Sequence, residues 1–304
     1  MSGARDLTAV ACLLAAIACA SQENTPIEEA VHKTAAREAA QATAPPPTTT
    51  LHEFTQTVPG TAAKFVMIPI PGGDVALPDP AGSSKKVTVH VGDFWIAKTE
   101  TTWEAYDAFV YRLDEKWPPP GVAADAVTFP SRPYLPPDRG YGHDGFPAIA
   151  MSFHGAEEYS RWLALKTGKR YRLPTEAEWR RAWAVGIETS LWTTRDPNAP
   201  LTDLGWIREN SGAKTHAVAT SRPSLTLLFD MLGNASEWCV GADGKPVTLG
   251  FCFRDAVTRE SFDADPRVAP SPAWNASDPQ IPKSLWWLAD AGFVGFRVAC
   301  GAEP

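Results

Sequence analysis

The sequence predicts an α+β fold, loop-rich, with about three helices and short antiparallel strands. Three observations carry that prediction. Helical spacing with capping signals occurs in only a few places along the 304 residues. Apolar alternation comes in short runs broken by glycine and proline. The chain also holds 28 prolines and 12 tryptophans, a composition suited to rigid turns plugged by aromatic side chains. Apolar residues make up 44% and charged residues 21%, so a sizeable core can form.

The first element is a leader. Arg5 precedes an apolar run from Leu7 to Ala18, too short for a membrane-spanning helix of about 20 residues. It reads as a secretory signal over residues 1–20. Two processing routes remain open. Ala18-Cys19-Ala20 suits cleavage after Ala20, whereas Ala16-Ile17-Ala18-Cys19 resembles a lipobox that would make Cys19 the lipidated N-terminus and a membrane tether. In both cases the domain is expected outside the cytoplasm, in the periplasm or cell envelope. Residues 21–60 contain "ATAPPPTTT" and few large apolar groups, so they are expected to be a disordered Ala/Thr/Pro-rich linker, with a short helix considered over residues 24–42.

The globular domain is expected over residues 61–304. "KFVMIPI" reads as a strand ended by Pro71-Gly72-Gly73. "KKVTVHV" alternates as a strand and leads to Phe94, Trp95 and Ile96. Thr101 or Thr102 is placed to cap a helix running to about Leu113, with Trp103, Tyr106, Phe109, Val110 and Leu113 at helical spacing. Residues 114–151 are Pro- and Gly-rich. Ser152 opens a second helix ending near Thr167, stopped by Gly168. Thr175 to Glu178 is a capping box for a third helix ending near Gly186. Beyond it lie turns, short strands and tryptophan-rich segments.

Charge and cysteine bound the partners. With 28 basic and 35 acidic residues the net charge is −7, and no Lys/Arg block appears, so nucleic acid is not expected. Cys12 and Cys19 belong to the leader. Cys239, Cys252 and Cys300 remain, enough for one disulfide, with Cys239–Cys252 weighed as a pair against buried thiols.

The stretch "DMLGNASEW", Asp230 to Trp238, admits a calcium loop, a catalytic carboxylate pair or an acidic turn held by hydrogen bonds. Calcium takes about six to eight oxygens on a flexible loop. Asp230 and Glu237 offer carboxylates, and Gly233 and Ala235 offer carbonyls. General acid–base work needs a cleft and a tuned pKa, which makes the catalytic pair the weakest of the three.

Several blocks together resemble the formylglycine-generating enzyme family, also called the sulfatase-modifying factor family. They are "FPAIAMSFHGAEEYSRWLALKTGKRYRLPTEAEWRRAWAVG", the segment ending in "DMLGNASEWC", and "FVGFRVA", and they stand in the family's order. The resemblance covers about residue 63 to residue 300 and implies the family's variant of the C-type-lectin-like fold. It implies calcium at Asp230, Gly233, Ala235 and Glu237, although Ser236 replaces a large aromatic. A second calcium loop after "ENSG" is not expected, because no acid follows there. Trp179 and Trp183 are expected in the core, as is Phe296, and Arg297 is expected to be a paired structural charge.

Family members oxidise a substrate cysteine using copper(I) held by two cysteines five residues apart, and thiolates suit that soft ion. The matching stretch is "VTLGFCFRDAVTRESF". The two cysteine positions fall on Asp255 and Glu260, while Cys252 stands at the preceding turn. Copper is therefore not expected. His143 and His154 lack a shared-face metal spacing and are read as surface or capping residues. The reading is a non-oxidising exported module that binds a protein or glycan. Its recognition face is expected on "PSRPYLPPDRGYGHDGFP" and "SLWWLADAGF". The alternative is an oxidoreductase converting cysteine to formylglycine in exported proteins such as sulfatases.

Overall fold

The computed structural model describes residues 51–79, 85–113, 129–131, 133, 135–188, 200–258, 261 and 267–301. The expected leader with Cys19, the helix considered over residues 24–42, and Glu260 lie outside the described residues. No helix among the described residues is long and apolar enough to cross a membrane.

A five-stranded sheet forms the middle of the domain, in the order β1, β2, β5, β12, β6. Its strands are β1 (Phe54–Thr57), β2 (Lys64–Ile70), β5 (Phe94–Ala97), β6 (Tyr171–Arg172) and β12 (Ala299–Gly301), all paired antiparallel. Two apolar cores lie on its two faces, because successive strand residues point to opposite sides. Met67, Ala97, Val298 and Cys300 join one core, whereas Ile68, Ile70, Ile96 and Ala299 join the other.

β1 corrects the expected domain boundary. Residues 54–57 were assigned to the linker, yet Phe54 pairs with Met67 in register and its ring meets Trp95 edge-on at 5.7 Å. An edge strand needs little apolar content of its own, because backbone pairing on one side and one aromatic contact hold it. The fold therefore begins before residue 61.

The expected strand "KKVTVHV" forms β4 (Lys86–Val91), but in a two-stranded ribbon with β3 (Gly73–Pro78) rather than in the main sheet. Its valines alternate as a strand requires, yet Val87 and Val89 stay exposed and only Val91 is buried. β9 (Ser236–Val240) lies between antiparallel β10 (Pro246–Leu249) and parallel β11 (Val294–Gly295). A last short pair, β7 (Gly205–Trp206) and β8 (Leu232–Gly233), is parallel. So the strands are short as expected, but two of the pairings are parallel.

The three helices sit where their caps placed them. α1 (Trp103–Val110) starts after Thr102, although that hydroxyl makes no capping bond. It is shorter than the periodicity suggested. Tyr111 is the C-cap and Arg112 turns left-handed at φ 51°, which leaves Leu113 outside the helix and exposed. α2 (Phe153–Thr167) is capped by Ser152 Oγ, which accepts from Gly155 N at 3.1 Å. Gly168 closes it in the left-handed conformation at φ 68°, as glycine does at little cost. α3 (Glu176–Trp183) opens with the full capping box: Glu178 N donates to Thr175 Oγ1 at 3.1 Å, and Thr175 N donates to Glu178 Oε2 at 2.8 Å. A π-helical turn, Ala184–Glu188, follows it.

Trp103, Tyr106, Phe109, Tyr159, Trp162 and Phe296 pack the core beneath α1 and α2. Trp179 and Trp183 stack at 5.4 Å in the opposite core. The considered Cys239–Cys252 disulfide is not formed: Cys239, Cys252 and Cys300 are free and buried. Cys239 is on β9 and packs in the second core, where it acts as a small apolar group.

Thr175→Ala removes one half of the capping box, and urea denaturation is expected to show a loss of about 1 kcal/mol. A loss near zero would mean that the Arg172–Glu178 pair, at 2.6 Å, holds this helix end without the cap.

Candidate functional site

The chain from Asp230 to Glu237 makes a tight double bend. Asp230, Gly233 and Asn234 all take positive φ, at 54°, 80° and 56°. Asp, Asn and Gly are the residues that tolerate this region best. Gly233 has a further reason: a Cβ there would lie 2.2 Å from the Trp206 carbonyl oxygen. The bend sends Glu237 into the interior on β9, where it is 1% exposed.

Glu237 meets Arg297, itself fully buried. Arg297 Nε donates to Glu237 Oε2 at 2.7 Å and Nη2 donates to Oε1 at 2.5 Å. Trp179 Nε1 donates to Oε2 at 2.7 Å. The remaining guanidinium donors reach the carbonyls of Ala97 at 3.0 Å and Phe229 at 2.9 Å. Burial alone would weaken the charge on Arg297, but Glu237 holds its pKa above the ordinary value.

Asp230 is also buried. Its Oδ2 accepts from Ala219 N at 2.8 Å and its Oδ1 from Ser221 Oγ at 2.7 Å. Burial still pushes its pKa up. A third acid, Glu100, completes the cluster and was not singled out in the sequence. Ala235 N donates to its Oε1 and Asn234 Nδ2 to its Oε2, both at 2.9 Å. Burial, then Asp230 and Glu237, drive Glu100 well above the usual carboxylate range. Only its position at the end of an apolar strand, in "WIAKTE", hinted at this burial.

Asp230 and Glu237 thus occupy one acidic interior, in the arrangement of an acidic turn held by hydrogen bonds. A calcium ion does not fit it. Every carboxylate oxygen of the two side chains already accepts a protein donor, and the cation facing Glu237 is a guanidinium, which would repel a divalent ion. Among the described residues, no group of three or more His, Cys, Asp or Glu side chains is placed to hold a metal.

The stretch matching the copper site follows a second bend. Gly250 and Phe251 take φ 99° and 63°, and Gly233 N donates to Gly250 O at 2.8 Å. Asp255 caps the next turn, its Oδ2 accepting from Cys252 N at 2.8 Å. Cys252 is 2% exposed, and burial, then Asp255, push its thiol up to about 12. A neutral buried thiol beside a turn-capping carboxylate does not fit copper(I). Glu260 lies outside the described residues.

The two segments expected to form a recognition face do meet. Trp287 Nε1 donates to Ser131 O at 2.8 Å, and Arg139 Nη2 donates to Leu288 O at 3.1 Å and Ala289 O at 2.7 Å. Trp287 is buried, so it is an anchor between the segments, while Trp286 is half-buried against His154, ring centres 4.6 Å apart. Leu135 and Leu285 stay exposed on this face. His143 is half-exposed and pairs with Asp107, Nε2 to Oδ2 at 3.1 Å.

Fold and site together define a class: a loop-rich α+β scaffold locked by a buried carboxylate–guanidinium centre, carrying a turn without a thiol pair. The sulfatase-modifying factor enzyme 1-like domain matches residues 53–301, and the chain belongs to that family. Its similarity to individual curated proteins is partial. The formylglycine-generating enzyme of Streptomyces coelicolor is 30% identical over 115 residues, spanning 32% of this chain and 33% of that enzyme. The serine/threonine-protein kinase pkn1 of Chlamydia pneumoniae is 32% identical over 99 residues, 14% of its length. Among solved structures, Treponema denticola variable protein 1 aligns with a TM-score of 0.57 at 22% identity, covering 83% of this chain and all of that one. PvdO from Pseudomonas aeruginosa aligns at 0.53 and 19%, covering 81% of this chain and all of that one. These two show the shared fold.

Arg297→Met leaves Glu237 charged and unpaired in the interior, and is expected to cost about 3–5 kcal/mol in denaturant unfolding, part of which Glu237→Leu recovers. A single-variant loss below about 1 kcal/mol would make the pair no stronger than a surface one. For calcium, a chelator is expected to leave the melting temperature unchanged. A fall that added calcium reverses, and that Asp230→Ala abolishes, would restore the ion to this bend.

Proposed function

We propose that this chain is a family member that does not make formylglycine and instead serves as an exported binding module for a protein or glycan, tethered to the cell envelope through a lipidated Cys19. One observation carries the reading. In the stretch matching the copper site, the first cysteine position is Asp255, a turn-capping carboxylate, and the nearby thiol of Cys252 is buried and neutral. Oxidation of a substrate cysteine through copper(I) needs soft thiolate ligands open to the substrate, and neither condition is met at these two residues. The face built from the proline-rich loop and the tryptophan segment supports the binding role. It is rigid, carries exposed Leu135 and Leu285, and joins elements about 150 residues apart through Arg139, whose partner Ala289 lies at a sequence distance of 150.

The test is direct. The full chain, supplied with copper(I) and oxygen, is incubated with a cysteine-containing peptide, and the peptide is followed by mass spectrometry. The expected outcome is an unchanged thiol. Conversion to the aldehyde, lost in Cys252→Ser, would make the chain an oxidase and place Cys252 in its machinery.

A further inference from the structure

The face just described has a cleft on its α1 side. Trp103, Asp107 and Tyr111 stand at positions i, i+4 and i+8, so they form one stripe along α1 and its C-cap. Pro133, Leu135, Pro136, Pro137 and Asp138 also line it, and His143 lies against the α1 stripe. The cleft has a volume of about 500 Å³, inside the range of small-ligand sites, roughly 300–1,000 Å³. Proline gives the wall a fixed shape before anything binds.

We propose that this cleft binds a neutral, hydroxyl-rich sugar ring. The proposal rests on the binding-module reading and names the ligand class for it. Four features point to a sugar. Tyr111 is 54% exposed, an aromatic platform that no described part of the fold covers. Asp107 and Asp138 bring carboxylate acceptors, and Asp107 holds the His143 ring nitrogen at 3.1 Å, leaving that ring 43% exposed at the mouth. His143 stacks on Trp103, with ring centres 5.6 Å apart and planes 16° from parallel. Beneath it, the buried Trp103 Nε1 has no acceptor among the described residues, which is rare for an indole.

A mixed set of donors and acceptors beside an aromatic surface suits hydroxyl groups, each of which donates and accepts. An apolar ligand would leave Asp107 without a new partner. A basic side chain would be drawn by the carboxylates, since neither Lys nor Arg is among the described residues that line the cleft, but it brings donors alone, whereas the cleft also presents the Tyr111 hydroxyl and the His143 ring. Burial pushes Asp107 up while His143 pulls it down, so the carboxylate is held in place yet poorly solvated, a state in which a hydroxyl donor is welcome.

The test uses the full chain titrated with chitotriose, cellotriose and mannotriose, followed by calorimetry and tryptophan fluorescence. At least one is expected to bind, with affinity weakened about tenfold or more in Tyr111→Ala and in Asp107→Asn. Leu165→Ala, an exposed change on α2 outside both the cleft and the recognition face, should leave it unaltered. Absence of binding by all three sugars overturns the proposal, as does binding that neither cleft variant weakens. Trilysine binding that is lost in Asp107→Asn, with no sugar bound, would reassign the cleft to a basic peptide. None of these outcomes touches the peptide-oxidation assay, so failure of the sugar cleft and failure of the non-oxidising reading are separable.

Discussion

The Glu237–Arg297 pair is the constraint on which the rest of this domain depends. Two full charges sit in the interior at 1% and 0% exposure, and they are tolerable only because each hydrogen-bonding position is filled. Arg297 reaches Glu237 with two nitrogens and the carbonyls of Ala97 and Phe229 with the others. Through one side chain, the end of β5, the start of the acidic bend and the centre of β9 are held together. Trp179 adds α3 to the same point. A buried ion pair of this kind is weak evidence for stability relative to an apolar core, but it is demanding about geometry, because any rearrangement strands a charge.

That demand gives the family resemblance a physical basis. The three sequence blocks that carry it are the helix with Trp179, the bend with Glu237 and the segment between β11 and β12 with Arg297. In the fold they are a hydrogen-bonded triad around one carboxylate. A chain that keeps one block must keep the others, since Arg297 without Glu237 leaves an unpaired buried charge. Glu100 and Asp230 belong to the same centre. Both are raised by burial, and each is met by backbone N–H groups, from Ala235 and Ala219, that the left-handed turns aim inward. Strain in the bend is therefore spent on presenting donors to acids.

Much of this was legible in the sequence, and what was not has identifiable causes. Ser152, Gly168 and the Thr175 box announced α2 and α3, because capping is a local interaction between residues a few positions apart. Arg297 as a paired structural charge was legible too, but its partner lies 60 residues away, and the sequence alone leaves Glu237 open as a calcium ligand or as an acid held by hydrogen bonds. An acid rich in oxygens looks the same in sequence whether a metal or a guanidinium faces it. β1 was missed since an edge strand borrows its order from β2 and Trp95 rather than from its own composition. The Trp103–Asp107–Tyr111 stripe was hidden because Trp103 fits the core-facing pattern of α1, while Tyr111 stands outside that pattern, at the C-cap, and is exposed.

The second bend is held by its own backbone and by the acidic centre. The turn at Gly250 and Phe251 is fixed by backbone contacts: Gly233 N donates to Gly250 O, Phe253 N donates to Asn234 O, and Ser236 Oγ donates to Phe251 O. A Cβ on Gly250 would press on Trp179, so the glycine is required by the same helix that holds Glu237. Beyond that turn Cys252, Phe253 and Val257 are buried, and Asp255 satisfies the backbone N–H of Cys252. The acidic centre and both bends form one mechanical unit, and the chemistry loop hangs from it. In a domain built in this way the turn that Asp255 caps is positioned by the core, whatever role its side chains take.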